Sequence, residues 1–228
     1  MFRKMCIIGS AFLMSLTVMT LTADAQEKIL GTYLWMIAKT VGGQGGANST
    51  YVDSLDEASN GKVTEEKIAK HGAREGNEVG NYEWTPGTLA NNGDINALVN
   101  KIGLEAGELD HITSYALIVL KTKRAQENVA MGVSSDDSVR VWVNGEVVHT
   151  HAENRSLGNE NTFQDHLKVD LKKGSNLIMI KVSERGGGWG MHFGVGGDYE
   201  LAEIDDIFLP IEPAGKLTTQ WAQIKNIR

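Results

Sequence analysis

The sequence predicts an all-β chain with a few short helices, folded as an antiparallel β-sandwich. Three observations carry this. From Ser114 onward, short runs of alternating apolar residues recur between turn signals at steady spacing. Asn144-Gly145 separates two such runs, and this dipeptide is the strongest short-range hairpin signal because a type I′ turn needs positive φ at both central positions. Only two short stretches read as helices, and neither is long enough to organise a domain.

Taken in order, Ile29 to Ala38 forms an apolar run with aromatic and β-branched content, suited to a first strand. Residues 42–93 are rich in Gly, Asn, Asp and Ser and sparse in periodic apolar residues. A helix is expected over Thr64 to His71, where Thr64 can cap and Glu65 and Glu66 favour the positive end of the dipole. A second begins at Asp94, with Ile95, Leu98, Val99 and Ile102 at helical spacing. Tyr115 to Leu120 is apolar on both faces, as in a central strand covered from both sides.

Val129 to Val133 leads into Ser134-Ser135-Asp136-Asp137, after which Val139, Val141 and Val143 alternate with Arg140, Trp142 and Asn144. Glu146 to His149 returns as the hairpin partner. Leu167, Val169 and Leu171 alternate with polar residues, and Lys172-Lys173-Gly174-Ser175 then predicts a second hairpin to Leu177–Val182. Trp189 to Val195 is the last clear strand, with large apolar residues on one face and Gly or His on the other. Beyond it, Ile207 to Leu209 is expected to add an edge strand, and Trp221 and Ile224 to dock a helical turn.

Residues 1–25 have the layout of a secretory signal: Arg3 and Lys4, an apolar stretch from Ile7 to Leu21, and Ala23-Asp24-Ala25 as a small-x-small cleavage site. The cut is expected between Ala25 and Gln26, giving a secreted or periplasmic protein with no stable membrane insertion after cleavage. The single Cys6 lies before the apolar stretch, so it is not a lipid-anchor site and would leave with the leader. The expected organisation is a signal peptide over 1–25 and one sandwich domain over 26–198 with a loop-rich insertion at about 42–111. A tail over 199–228 packs on the domain. The chain of 228 residues has 22 Lys+Arg against 29 Asp+Glu and a net charge of −7, which disfavours a nucleic-acid partner, since phosphate neutralisation needs a basic surplus.

The run Ser134-Ser135-Asp136-Asp137-Ser138-Val139-Arg140-Val141-Trp142-Val143-Asn144-Gly145 resembles the signature of protective-antigen-type sandwich domains, found in toxins, fungal adhesins and bacterial glycosidases. It also looks like the jelly-roll modules of secreted bacterial carbohydrate-active proteins. Lys172 to Val182 and Gly186-Gly187-Gly188-Trp189-Gly190 match the continuation of that pattern, and the resemblance covers about residues 112–196. It implies a jelly-roll-like sandwich and, from the adhesin branch, a Ca²⁺ ion held by Asp136 and Asp137 that contacts sugar hydroxyls. Carboxylates and loop carbonyls suit Ca²⁺, which takes six to eight oxygen ligands. The competing reading is that the two aspartates only shape a turn through hydrogen bonds to backbone N–H groups.

Arg140 and Trp142 share one side of their strand and could form a sugar-stacking platform, as could Trp189 after its three glycines; packing against the sheet or a loop is the alternative for each. His149 and His151 share a strand face and could chelate a transition metal with His166 or His192 as third ligand, or stay solvated. Gly186-Gly187-Gly188 is not a phosphate loop, because no Lys-Ser/Thr and no helix follows it. No nucleophile elbow, HExxH pattern or mature cysteine marks a catalytic centre. The function expected is a non-catalytic binding module for carbohydrate or a cell-surface glycan at a loop edge. The alternatives are a structural or protein-interaction domain and, more remotely, a glycan-active enzyme.

Overall fold

The computed structural model describes residues 27–40, 44–107 and 109–208. The signal-like segment with Cys6, and Trp221 and Ile224 in the tail, lie outside the described residues.

The chain forms an antiparallel β-sandwich with a third layer on one side. The large sheet is built from β1 (Thr32–Lys39), β4 (Thr85–Thr88), β5 (Ile112–Thr122), β7 (Ser138–Val143), β8 (Glu146–His151) and β10 (Gly174–Glu184), in the order β4-β1-β5-β10-β7-β8. A two-residue strand, β12 (Glu200–Leu201), also pairs with β5. The small sheet has the order β11-β6-β9, from β6 (Gln126–Asp136), β9 (Asp165–Leu171) and β11 (Gly190–Val195). A separate ribbon joins β2 (Glu78–Val79) and β3 (Tyr82–Glu83).

Two cores follow from this layering. Between the sheets, Trp35, Ile37, Ile118 and Ile180 pack against Met131, Val133, Met191 and Phe193. On the other face of the large sheet, Leu34, Met36, Tyr115, Leu117, Trp142 and Met179 pack under α1 (Ser54–Ser59), α2 (Glu65–His71) and Trp84. The central strands are therefore buried on both faces, which is why β1 and β5 read as near-continuous apolar runs rather than alternating ones.

The helices are set by their caps. Thr64 Oγ1 accepts from Lys67 N at 3.2 Å and starts α2. Asp94 Oδ1 accepts from Ala97 N at 2.8 Å and starts α3 (Ile95–Lys101), whose Ile95, Leu98 and Val99 close one end of the inter-sheet core. α1, capped by Asp53, was not legible as a helix, because six residues are too few to show a period. Segment 42–111 also supplies β4, which pairs with β1 despite Pro86 because it lies at the edge of the sheet.

Asn144 (φ 53°) and Gly145 (φ 90°) form the expected tight turn between β7 and β8. The second expected hairpin does not form. β9 pairs with β6 in the small sheet while β10 pairs with β5 and β7 in the large one, so the chain changes sheets at 172–174. The buried Asn176 side chain holds this corner, with Nδ2 donating to Lys172 O at 2.8 Å and Oδ1 accepting from Lys172 N at 2.9 Å. Near the described end, a 3-10 turn (Ile204–Asp206) is followed by Ile207, which buries its side chain in the outer core. Of the edge strand expected at 207–209, Ile207 and Phe208 are not in a strand and Leu209 lies outside the described residues.

Candidate functional site

β6 and β7 are consecutive in sequence but belong to different sheets, so Asp136 and Asp137 sit where the chain crosses from one sheet to the other. Asp136 pairs with Gly190 at the start of β11, and the peptide between Asp136 and Asp137 is cis. The last residue of β10, Glu184, arrives at the same edge. Carboxylate oxygens of Asp136, Asp137 and Glu184 all lie within 4.8 Å of one another, the only such group of potential metal ligands among the described residues.

The three carboxylates are held differently. Asp137 Oδ2 accepts from Arg185 N at 2.8 Å, and its carbonyl accepts from Ser135 Oγ at 2.7 Å. Arg155 donates to Ser135 Oγ and, with both terminal amines, to Asp165, which braces this corner from the small sheet. Asp136 faces Gly188, where a Cβ would fall 2.7 Å from Asp136 Oδ2. Glu184 is 0% exposed, and among the described residues neither of its buried carboxylate oxygens has a hydrogen bond of ordinary geometry. The Gly186 N–H faces this carboxylate and stabilises its charge slightly without completing such a bond.

Electrostatics follow from that arrangement. Burial, then the charges of Asp137 and Asp136, push the Glu184 carboxyl up to about 8. Burial and Asp137 push Asp136 up to about 6. Asp110, whose Oδ1 accepts from Gly187 N at 3.3 Å, adds to the negative field. Without a counter-cation these groups repel one another in a partly dehydrated corner. A hard divalent cation with oxygen preference would relieve that repulsion, and the all-carboxylate donor set suits Ca²⁺ better than a soft metal.

Beside Asp136 lies an open cleft of about 230 Å³, lined by Asn92, Asp94, Asn96, Leu157, Gly188 and Trp189 among others. The loop carrying Asn92 is fixed to β11 by Met191 N donating to Gly93 O at 3.0 Å and Ile95 N to Trp189 O at 2.9 Å.

The expected stacking residues are placed otherwise. Trp189 is 3% exposed and packs in the inter-sheet core, with its indole N–H buried and without an acceptor among the described residues. Trp142 is 4% exposed and packs in the outer core beneath Arg140, whose Cζ lies 5.0 Å from its ring centre. Neither tryptophan presents an open ring face: Trp189 lies on the apolar face of its strand with Met191 and Phe193, and Trp142 is covered by the helical layer, which the strand pattern does not reveal. Tyr51 is instead the exposed aromatic beside Arg140, at 69%. His149 Nε2 lies 3.0 Å from Asp165 Oδ2, a carboxylate shared with Arg155; this cation beside the ring disfavours a metal there.

Sequence reasoning located Asp136 and Asp137 but not Glu184, Asp110 or Tyr51. Glu184 carries no local mark, standing at the end of an apolar strand 47 positions after Asp137.

No protein-family profile matches the chain, and no curated protein matches it by sequence. By structure it is similar to the PA14 domain of the antifreeze protein MpAFP, at 12% identity and a TM-score of 0.44, covering 78% of this chain and 89% of that one. It is also similar to a PA14 sugar-binding domain from an RTX adhesin, at 13% identity and a TM-score of 0.43, covering 80% of this chain and 100% of that one. A GH31 α-xylosidase from Xanthomonas citri aligns at 10% identity and a TM-score of 0.27, over 40% of this chain and 11% of that one.

Proposed function

We propose that this protein is a non-catalytic, exported carbohydrate-binding module whose inter-sheet edge holds a Ca²⁺ ion on Asp136, Asp137 and Glu184. The observation that carries the reading is Glu184: a fully buried carboxylate that faces two aspartates and, among the described residues, has only the Gly186 N–H nearby and no hydrogen bond of ordinary geometry. A buried charge left without a partner is costly, and a turn-shaping role for the aspartates does not account for it.

Bound there, Ca²⁺ would offset the three negative charges and leave coordination positions for vicinal sugar hydroxyls. The chain's own residues do the rest. Arg185 N–H orients Asp137, and Gly188 leaves room for the Asp136 carboxylate. The cleft beside Asp136 offers Asn92, Asp94 and Asn96 for hydroxyl groups. Export is supported by the leader layout of residues 1–25. Among the described residues no helix is long and apolar enough to cross a membrane.

The test is thermal melting with Ca²⁺ against EDTA, paired with a glycan array. Ca²⁺ is expected to raise Tm, and array binding is expected to vanish in EDTA and in Asp136→Asn/Asp137→Asn. An unchanged melt together with an empty array would overturn the reading in favour of a structural or protein-interaction domain.

A further inference from the structure

Arg140 points from β7 to the outer face of the large sheet and lies over two aromatic rings, with Cζ 5.0 Å from the Trp142 centre and 5.7 Å from the Tyr51 centre. Its Nε is buried with no hydrogen-bond partner among the described residues. The neighbouring carboxylate oxygen, Glu65 Oε2, stays 3.9 Å from Nη1, beyond hydrogen-bond length. Glu65 is engaged elsewhere, since its Oε1 accepts from Lys181 Nζ and Tyr115 OH, each at 2.7 Å. The guanidinium is thus a charge held by stacking and by a long ion pair to Glu65, its side chain 24% exposed, with no hydrogen bond filling its terminal donor fork among the described residues. With Nε closed off, the terminal amines are the donors a ligand would meet.

Tyr51 stands beside this fork as an exposed ring on a fixed backbone. The carbonyls on either side of it, Thr50 O and Val52 O, both accept from the buried Lys181 Nζ. Thr50 Oγ1 also donates to Ser138 Oγ at 2.8 Å. An aromatic side chain held in this way offers contact area at small conformational cost.

We propose that Tyr51 and Arg140 form a second subsite, for a carboxylate-bearing sugar such as a uronate. The C–H face of the sugar ring stacks on Tyr51, and its carboxylate takes paired hydrogen bonds from the Arg140 terminal amines. A neutral sugar would leave the guanidinium unfilled, and a simple carboxylate or acidic side chain would leave the open Tyr51 face unused. The proposal extends the carbohydrate-binding reading to a different surface. It needs no cation, because none of its residues belongs to the Asp136–Asp137–Glu184 group.

The experiment is calorimetric titration of the whole protein in EDTA with an oligogalacturonate, its neutral galactose counterpart and a glutamate-rich peptide. Binding is expected for the uronate alone, weakening at high salt. Tyr51→Ala, at a site exposed enough to leave the fold intact, is expected to weaken it about tenfold, as loss of an aromatic stack does. Arg140→Gln is expected to weaken it by about tenfold or more, the loss of hydrogen bonds to a charged group. Arg140→Lys, which keeps the charge over Trp142 but not the fork, falls between. Absence of uronate binding, equal binding of the neutral oligomer or of the peptide, or wild-type affinity in Tyr51→Ala would each overturn the proposal. Asp136→Asn/Asp137→Asn is expected to keep uronate binding in EDTA, so the two sites succeed or fail separately.

Discussion

Lys181 Nζ stands 2.7 Å from Glu65 Oε1, and the two side chains are 1% and 7% exposed. This buried pair joins β10 to the first turn of α2 and so fastens the helical layer to the sheet. Burial pushes the Glu65 carboxyl up and the Lys181 ammonium down, and each partner opposes the other's shift. The backbone carbonyls of Thr50 and Val52 complete the lysine's coordination.

Removing one partner leaves the other charge buried alone. Lys181→Met is expected to lose about 3–5 kcal/mol of stability, while Glu65→Gln/Lys181→Met recovers part of that loss. Urea unfolding of both variants and of Glu65→Gln alone checks this, and a double-variant loss equal to the sum of the two single losses would show that the two groups do not depend on one another.

Stability without cation is expected to fall as pH rises. Glu184 titrates at about 8 against an ordinary 4.5, and Asp136 at about 6 against 3.8. An acid whose pKa is raised by folding binds its proton more tightly in the folded state, so the unfolded chain gains relative to it as pH climbs from about 4.5 to about 8. Tm measured in EDTA should therefore drop across that window and level off above it. Glu184→Gln should flatten most of the slope, and saturating Ca²⁺ should restore Tm at the alkaline end.

Gly188→Ala separates site from fold. Its Cβ would meet Asp136 Oδ2 at 2.7 Å, the far end of a side chain that can turn away, and Gly188 does not need a left-handed backbone. The expected result is a stability change within about 1 kcal/mol, as for a tolerated surface-loop substitution, with Ca²⁺ affinity reduced. Calorimetric titration with Ca²⁺ beside a melting curve measures both.

Asn176→Ala tests the corner between β9 and β10. The side chain is fully buried and also accepts from Asn144 Nδ2 at 3.0 Å, so one amide joins the sheet change to the β7–β8 turn. Its loss leaves the Lys172 N–H and the Asn144 Nδ2 amine short of an acceptor, while Lys172 O keeps Thr122 Oγ1, at an expected cost of about 1–3 kcal/mol. Denaturant unfolding reads the effect, and a neutral substitution would show that the corner is held by strand pairing alone.

Local periodicity and turn chemistry made most strands readable, along with the helices capped by Thr64 and Asp94 and the Asn144-Gly145 turn, because each is decided by residues a few positions apart. The β9–β10 connection misled for the same reason: Lys-Lys-Gly-Ser has the composition of a hairpin turn, and only the partners of the flanking strands show that it joins two sheets. What covers Trp142 is equally hidden, since strand alternation places it opposite the valines and leaves packing or stacking open, but does not show α1 and α2 above it.

By itself, the sequence determined the β-rich class, the helix caps and the Asp136-Asp137 pair, features written in neighbouring residues. The tertiary structure decided what those aspartates face. Glu184 reaches them only because β10 ends at the edge where β6 crosses to β7, and Tyr51 meets Arg140 only because the buried Lys181 holds a distant loop over the sheet. Such contacts depend on strand order and layer packing, which residues far apart in the chain settle together.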